Sequence, residues 1–230
     1  MKLNQLIPAT VIALSASGLF VPLAQAQTTV LDNTSLSSTP GTYLAAYQNG
    51  MFGPEIIEMT SGFTTGSSDS VLDSITLDLS ADDNSGSGLT LSLYADNGSS
   101  MPGSLLETLT GNASPTAGGL VTYTSSGTAL AANTTYWWVA SLTPPGTGVF
   151  ATDTTGDSAG TSPEGWTFDT TYQGDGTGYW NNIGSTAQFS VDASIGAVPE
   201  PSTLALAGMG GLGLAMMFRR PARNAKNPQG

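Results

Sequence analysis

The sequence predicts an all-β fold: a single β-sandwich, jelly-roll-like, with a signal peptide before it and a short hydrophobic helix after it. Residues 75–79 read Ile-Thr-Leu-Asp-Leu and residues 89–93 read Leu-Thr-Leu-Ser-Leu. Such strict alternation is typical of strands with one buried face. Clusters of Gly, Ser, Asn and Asp separate the apolar stretches, and no convincing helical period lies between them. Many short strands joined by glycine-rich turns favour a sandwich over an α/β fold.

The first 26 residues predict a secretory signal peptide. Lys2 is their only charged residue, and the stretch 6–23 is mostly apolar. Ala24 and Ala26 form a small-residue cleavage site for signal peptidase, so that Gln27 begins the mature chain. Helix breakers within the apolar stretch disfavour an uncleaved membrane anchor.

Residues 27–197 form the predicted extracellular domain, and its strands can be placed in order. Thr28 to Thr42 is a polar lead-in with a turn at Pro40-Gly41. Residues 75–79 and 89–93 are predicted to pair as antiparallel neighbours. A dense turn signal follows at residues 96–103. The candidate strands are 43–47, 55–63, 75–79, 89–93, 104–109, 120–124, 135–142, 149–152, 165–169 and 186–191.

The charges are divided sharply along the chain. All five Lys and Arg residues lie in the two terminal segments, whereas all but one of the 17 Asp and Glu residues lie within residues 27–197. The chain has no His and no Cys. Nucleic-acid binding is excluded because it depends on Lys and Arg that neutralise phosphates. The central domain can form neither a Lys or Arg salt bridge nor a disulfide.

The residue types that most enzymes use are missing from the central domain. Nucleophilic triads, Ser-Lys pairs, zinc sites and haem sites all need His, Cys or Lys. A carboxylate pair of the glycosidase kind remains, with Glu55, Glu58 and Glu107 as candidates. Residues three apart lie on opposite faces of a strand, so Glu55 and Glu58 are not expected to converge. We predict a non-enzymatic protein with no catalytic residue.

Calcium is the one ion that the acidic loops favour, and no other cofactor is expected. Asp82, Asp83, Asp153 and Asp157 are the candidate ligands, because calcium prefers clustered carboxylate and carbonyl oxygens. Residues 169–175 offer similar oxygens. None of these loops matches an EF-hand. The alternative is that these Asp residues only shape turns.

Aromatic residues beside Gly, Asp and Asn predict a sugar-binding platform. Trp166, Tyr179 and Trp180 are its candidates, since sugar rings pack on exposed aromatic faces while polar neighbours bind hydroxyl groups. The alternative is that these side chains lie in the core, as is expected for Trp137 or Trp138.

The C-terminal end combines a short apolar segment with a basic tail. As a helix, residues 203–218 extend about 24 Å, which is less than a hydrocarbon core of about 30 Å. Arg219, Arg220 and Arg223 follow directly in the tail 219–230. The positive-inside rule therefore predicts a cytoplasmic C-terminus and an exported central domain in the precursor.

A Pro-Glu-Pro motif precedes the apolar segment and consists of Val198, Pro199, Glu200, Pro201 and Ser202. Because this motif, an apolar helix and an arginine-rich tail follow one another, this end resembles the PEP-CTERM sorting signal. The resemblance covers residues 198–230 and implies export in a Gram-negative bacterium. It further implies transient membrane insertion and cleavage near the motif by an exosortase, typically in organisms that build exopolysaccharide. The alternative is a plain single-span anchor.

Five stretches of the central domain carry a second resemblance: 75–79, 89–94, 96–98, 102–106 and 130–138. Through them the central domain is similar to the choice-of-anchor R family, over about residues 31–194. That family supplies no known catalytic residues.

These observations together predict a non-enzymatic protein of the cell surface or extracellular matrix, associated with exopolysaccharide, biofilm or adhesion. The alternative is a secreted carbohydrate-binding module or a weak carboxylate-based glycosidase.

Overall fold

The described part of the chain consists of β-strands joined by turns and loops. The computed structural model describes residues 27–50, 53–80, 84–156, 160, 162 and 165–196. The predicted signal peptide 1–26 and the C-terminal segment 198–230 lie outside these residues. Within the described ranges no helix is long and apolar enough to cross a membrane. The strands are β1 (Gln27–Asp32), β2 (Thr39–Gly50), β3 (Gly53–Thr64), β4 (Ser70–Leu79), β5 (Ser87–Asp96), β6 (Pro102–Thr108), β7 (Gly119–Thr124), β8 (Ala129–Leu130), β9 (Thr135–Thr155), β10 (Thr167–Gly174), β11 (Trp180–Asn182), β12 (Thr186–Ala187) and β13 (Phe189–Ile195).

All the strands join one antiparallel sheet that is organised by its longest strand. The main path runs β1-β13-β4-β9-β2-β3-β10-β11, and β5 joins β6 to β9. Strand β9 has 21 residues. Its first half pairs with β3 and β5, and its second half pairs with β2, β4 and β12. One strand therefore belongs to two parts of the sheet.

These two parts pack face to face as a β-sandwich. Trp138 in the first half of β9 contacts Phe189 of β13 edge-on, with ring centroids 5.5 Å apart. The two strands share no ladder, so this contact crosses the core. Ile75, Leu77 and Leu91 are also fully buried in this single apolar cluster. The predicted all-β sandwich is confirmed, and burial of apolar area drives its formation.

The predicted pairing of residues 75–79 with residues 89–93 is wrong. Strand β4 pairs with β13, β7, β8 and β9, whereas β5 pairs with β6 and β9. Both alternating leucine faces enter the same core. A period of two identifies the buried face of each strand but not its neighbour.

The predicted polar lead-in is also wrong. Gln27–Asp32 forms β1 against β13, and Val30 and Leu31 are fully buried. Pro40-Gly41 is a bulge inside β2 rather than a turn, because the register shifts between Thr39 and Thr42. Gly41 has a φ of 89°, which favours glycine.

Two strands predicted separately, 135–142 and 149–152, are parts of β9. The predicted turn at 96–103 is confirmed, since β5 ends at Asp96 and β6 begins at Pro102.

Candidate functional site

A surface groove of about 390 Å³ lies where β3, β10 and the segment before β11 meet. Its apolar part includes Tyr179 and Ile56, whose side chains are 63% and 41% exposed. Its polar part includes Gln173, Asp175 and Asn181. We call these residues the Tyr179 groove. An exposed ring beside amide and carboxylate groups suits a ligand with both apolar faces and hydroxyl groups.

The turn between β10 and β11 presents the tyrosine. Asp175 Oδ1 accepts hydrogen bonds from Thr177 N at 2.9 Å and Thr177 Oγ1 at 2.6 Å. Gly176 and Gly178 have φ angles of 75° and 91°, a region that other residues rarely adopt. The local sequence therefore fixes a tight turn that ends at Tyr179.

Asp175 at the groove and Glu58 on the adjacent strand have pKa values shifted in opposite directions. Hydrogen bonds from Thr177 lower the pKa of Asp175. Burial raises the pKa of Glu58, and repulsion from Asp175 raises it further. Glu58 is the cross-strand partner of Gly174, next to Asp175. Opposite shifts in neighbouring acids are the pattern of an acid and base pair.

Glu107 has the opposite environment from the one a general acid needs. Burial favours a raised pKa, but hydrogen bonds from Ser125, Thr128 and Ser126 outweigh it and lower the pKa of Glu107 to about 2. The distances from its carboxylate are 2.6 Å to Ser125 Oγ and 2.5 Å to Ser126 N. Glu107 therefore anchors the loop between β7 and β8. The side chain of Glu55 lies outside the described part of the chain.

The structure separates the three predicted platform residues. Trp166 is 2% exposed and stacks on Phe63, with centroids 5.8 Å apart and planes at 17°. The expectation that Trp166 is a platform residue is wrong, because this ring fills the core at the start of β10. Trp180 is half-buried and packs over Gly174, where an added Cβ would lie 2.7 Å from the ring. Only Tyr179 is freely exposed.

Asn181 belongs to the stretch that predicted the platform, whereas sequence reasoning missed Ile56 and Gln173 as groove residues. No local pattern marks them, because the pairing of β10 with both β3 and β11 brings them together. Trp137 and Trp138 are both fully buried, on opposite faces of β9. Trp137 has its own polar partner, since its Nε1 donates to Asp96 Oδ1 at 2.8 Å.

Of the four predicted calcium ligands, three lie outside the described residues: Asp82, Asp83 and Asp157. Asp153 lies on β9, and its Oδ1 atom is buried without a hydrogen-bond partner. In the described ranges no group of three His, Cys, Asp or Glu side chains is placed to hold a metal ion.

The C-terminal end of the chain is similar to a known family of sorting signals. A family model described as the PEP-CTERM protein-sorting motif matches residues 197–220. The match contains the predicted motif at 198–202, the apolar segment 203–218 and the first two arginines of the tail. No curated protein and no solved structure matches the chain. The similarity of the central domain to the choice-of-anchor R family stays a prediction. The chain carries a PEP-CTERM protein-sorting motif, which implies export, processing by an exosortase and sorting to the surface through a membrane.

Proposed function

We propose that this is a non-enzymatic surface or matrix protein of a Gram-negative bacterium that associates with extracellular polysaccharide, in biofilm or adhesion, through the Tyr179 groove. Signal peptidase releases the chain at Gln27. The precursor is held with its C-terminus in the cytoplasm until exosortase cuts near residues 198–202. The observation that carries the proposal is the exposed Tyr179 ring beside Asp175 and Asn181.

The chemistry of the groove favours a neutral polysaccharide. The apolar face of a sugar ring can pack on Tyr179 and Ile56. Its hydroxyl groups can donate to the carboxylate of Asp175, which stays ionised because its pKa is lowered by Thr177. The domain carries no Lys or Arg between residues 27 and 197. An acidic polymer would therefore be repelled.

The test is affinity electrophoresis and calorimetric titration of the purified protein against a panel of neutral and acidic polysaccharides. We expect Tyr179→Ala to weaken binding on the order of 10-fold, because it removes the stacking surface. Leu120→Ala is the matched control. Leu120 is also 63% exposed but lies on β7, which pairs with β4 rather than with the groove strands β3, β10 or β11. Unchanged affinity in Tyr179→Ala, or no binding by the wild type, contradicts the proposal.

A weak glycosidase is the second candidate, favoured by the opposite pKa shifts of Glu58 and Asp175. In this alternative Glu58 is the general acid and Asp175 is the second carboxylate. Release of reducing ends from a bound polysaccharide supports it if Glu58→Gln abolishes release while binding persists. Binding without any release leaves the non-enzymatic function.

A further inference from the structure

Two acidic residues and one glutamine meet where β4, β9 and the β12–β13 junction come together. Asp78 N donates to Gln188 O at 3.0 Å, and Gln188 N donates to Asp153 O at 2.9 Å. Gln188 therefore joins the strand segments of Asp78 and Asp153. Burial raises the pKa of Asp78, and repulsion from Asp153 raises it further.

The three side chains share the face of the sheet that points away from the core. The chain neighbours of each residue are buried on the other face, and side chains alternate along extended backbone. These buried neighbours are Leu77, Leu79, Thr152, Thr154, Ala187 and Phe189.

The amide of Gln188 is held in one orientation. Gln188 is fully buried, and its Nε2 donates to Asn33 O at 3.1 Å and Leu36 O at 2.8 Å. Asn33 in turn binds the backbone on both sides of Gln188, since its Nδ2 donates to Ala187 O and its Oδ1 accepts from Phe189 N. Both side-chain N–H groups of Gln188 thus point to the turn at residues 33–36. Its main chain faces the segments of Asp78 and Asp153, through the two backbone hydrogen bonds given above.

Among the residues that the structure describes, two oxygen atoms at this place have no donor. Gln188 Oε1 and Asp153 Oδ1 are both buried without a hydrogen-bond partner. Buried acceptors are unfavourable when unsatisfied, and more so beside a second carboxylate. No Lys, Arg or His occurs between residues 27 and 197 to compensate them. A bound cation is a partner that would satisfy both oxygens.

We propose that Asp78, Asp153 and Gln188 bind a calcium ion, which the two unsatisfied oxygens coordinate. Carboxylate and amide oxygens are the hard ligands that calcium prefers, and water can complete its shell. The ion links β4, β9 and the β12–β13 junction on the face opposite the core. Extracellular calcium sites commonly have a Kd of about 10⁻⁴ to 10⁻³ M, so the ion binds after export.

The test measures the Tm of the purified exported protein in EDTA and in 10 mM CaCl2, together with calcium titration by calorimetry. We expect calcium to raise the wild-type Tm by about 5 °C. Asp78→Asn and Asp153→Asn should lose this shift and the calorimetric signal. Asp192→Asn is the matched control, since Asp192 on β13 already accepts from Thr29 Oγ1 and Ser74 Oγ. It should keep the full calcium shift.

Asp153→Asn also distinguishes loss of the calcium site from damage to the fold. Replacing the carboxylate removes one negative charge, and the new amide supplies a hydrogen-bond donor, which Gln188 Oε1 lacks. In EDTA this variant should therefore melt at or above the wild-type temperature. A wild type that neither binds calcium nor shifts its Tm overturns the proposal. An equal loss of the shift in Asp192→Asn also overturns it, because that would indicate a general effect of negative charge.

Discussion

Glu107 provides a pH-dependent test of how this acidic domain is stabilised. Its carboxylate accepts hydrogen bonds from Ser125 Oγ, Ser126 N and Thr128 Oγ1. Glu107→Gln keeps the size of the side chain but removes its charge, which these donors stabilise. We therefore expect the variant to lose stability at neutral pH.

The magnitude follows from the pKa of Glu107, which falls from 4.5 to about 2 in the folded protein because the hydrogen bonds outweigh the effect of burial. A difference of this size corresponds to about 3 kcal/mol. The carboxylate is partly exposed, and solvent screening reduces the contribution to about 1–2 kcal/mol. Because the folded-state pKa is lowered, this stabilisation is complete above pH 4.5 and disappears as the pH falls toward 2.

Urea unfolding of the wild type and Glu107→Gln between pH 7 and pH 2 measures this contribution. The difference in the free energy of unfolding should be about 1–2 kcal/mol at pH 7 and close to zero at pH 2. Glu58→Gln is the matched control, because burial raises the pKa of Glu58. Removing that charge should not destabilise the protein at pH 7. Equal unfolding midpoints for the wild type and Glu107→Gln at pH 7, or a difference that persists at pH 2, refute the reasoning.

Two further predictions concern the core and the C-terminal end. Trp166→Ala should cost about 3–5 kcal/mol in urea unfolding, because it empties the site beside Phe63, yet leave the polysaccharide affinity of the folded protein unchanged. Mass spectrometry of the wild type from its native host should show a C-terminus near residues 199–202, and a triple alanine replacement of residues 199–201 should stay unprocessed. A wild-type chain that still ends at Gly230 contradicts the processing.

The buried face of a strand could be predicted from the sequence, but its partners could not. Alternation in β4 and β5 correctly identified Ile75 and Leu91 as core residues. The partner of Ile75 in β13, however, is Val191, more than one hundred positions away. Pairing between stretches that are neighbours in sequence is only the simplest assumption. Here β4 and β5 lie in different parts of the sheet, although both contribute to the same core.

The candidate site was predictable where its signal is local. Tyr179 follows a glycine turn that exposes it, and the sorting motif is a continuous stretch that a family model also matches. Trp166 has the same kind of local sequence, but Phe63 on β3 provides a stacking partner in the core. Ile56 joins the Tyr179 groove from that same strand. Such long-range contacts determine which aromatic residue is exposed, and nothing in the local sequence indicates them.

The charge distribution also explains the richness in Ser and Thr. With no cationic side chain between residues 27 and 197, the carboxylates of this segment depend on neutral donors. Thr34 donates to Asp32, Ser194 donates to Asp73, and Thr177 donates to Asp175. Hydroxyl and backbone donors keep the same charge across the physiological pH range, so the pH dependence of stability comes mainly from the carboxylates themselves. The hydrogen bonds that lower the pKa of Asp175 stabilise its negative charge, so the fold accommodates this charge without an ion pair. Asp153 departs from this arrangement because its buried Oδ1 has no donor within the described part of the chain, and an external cation is the partner that its chemistry favours.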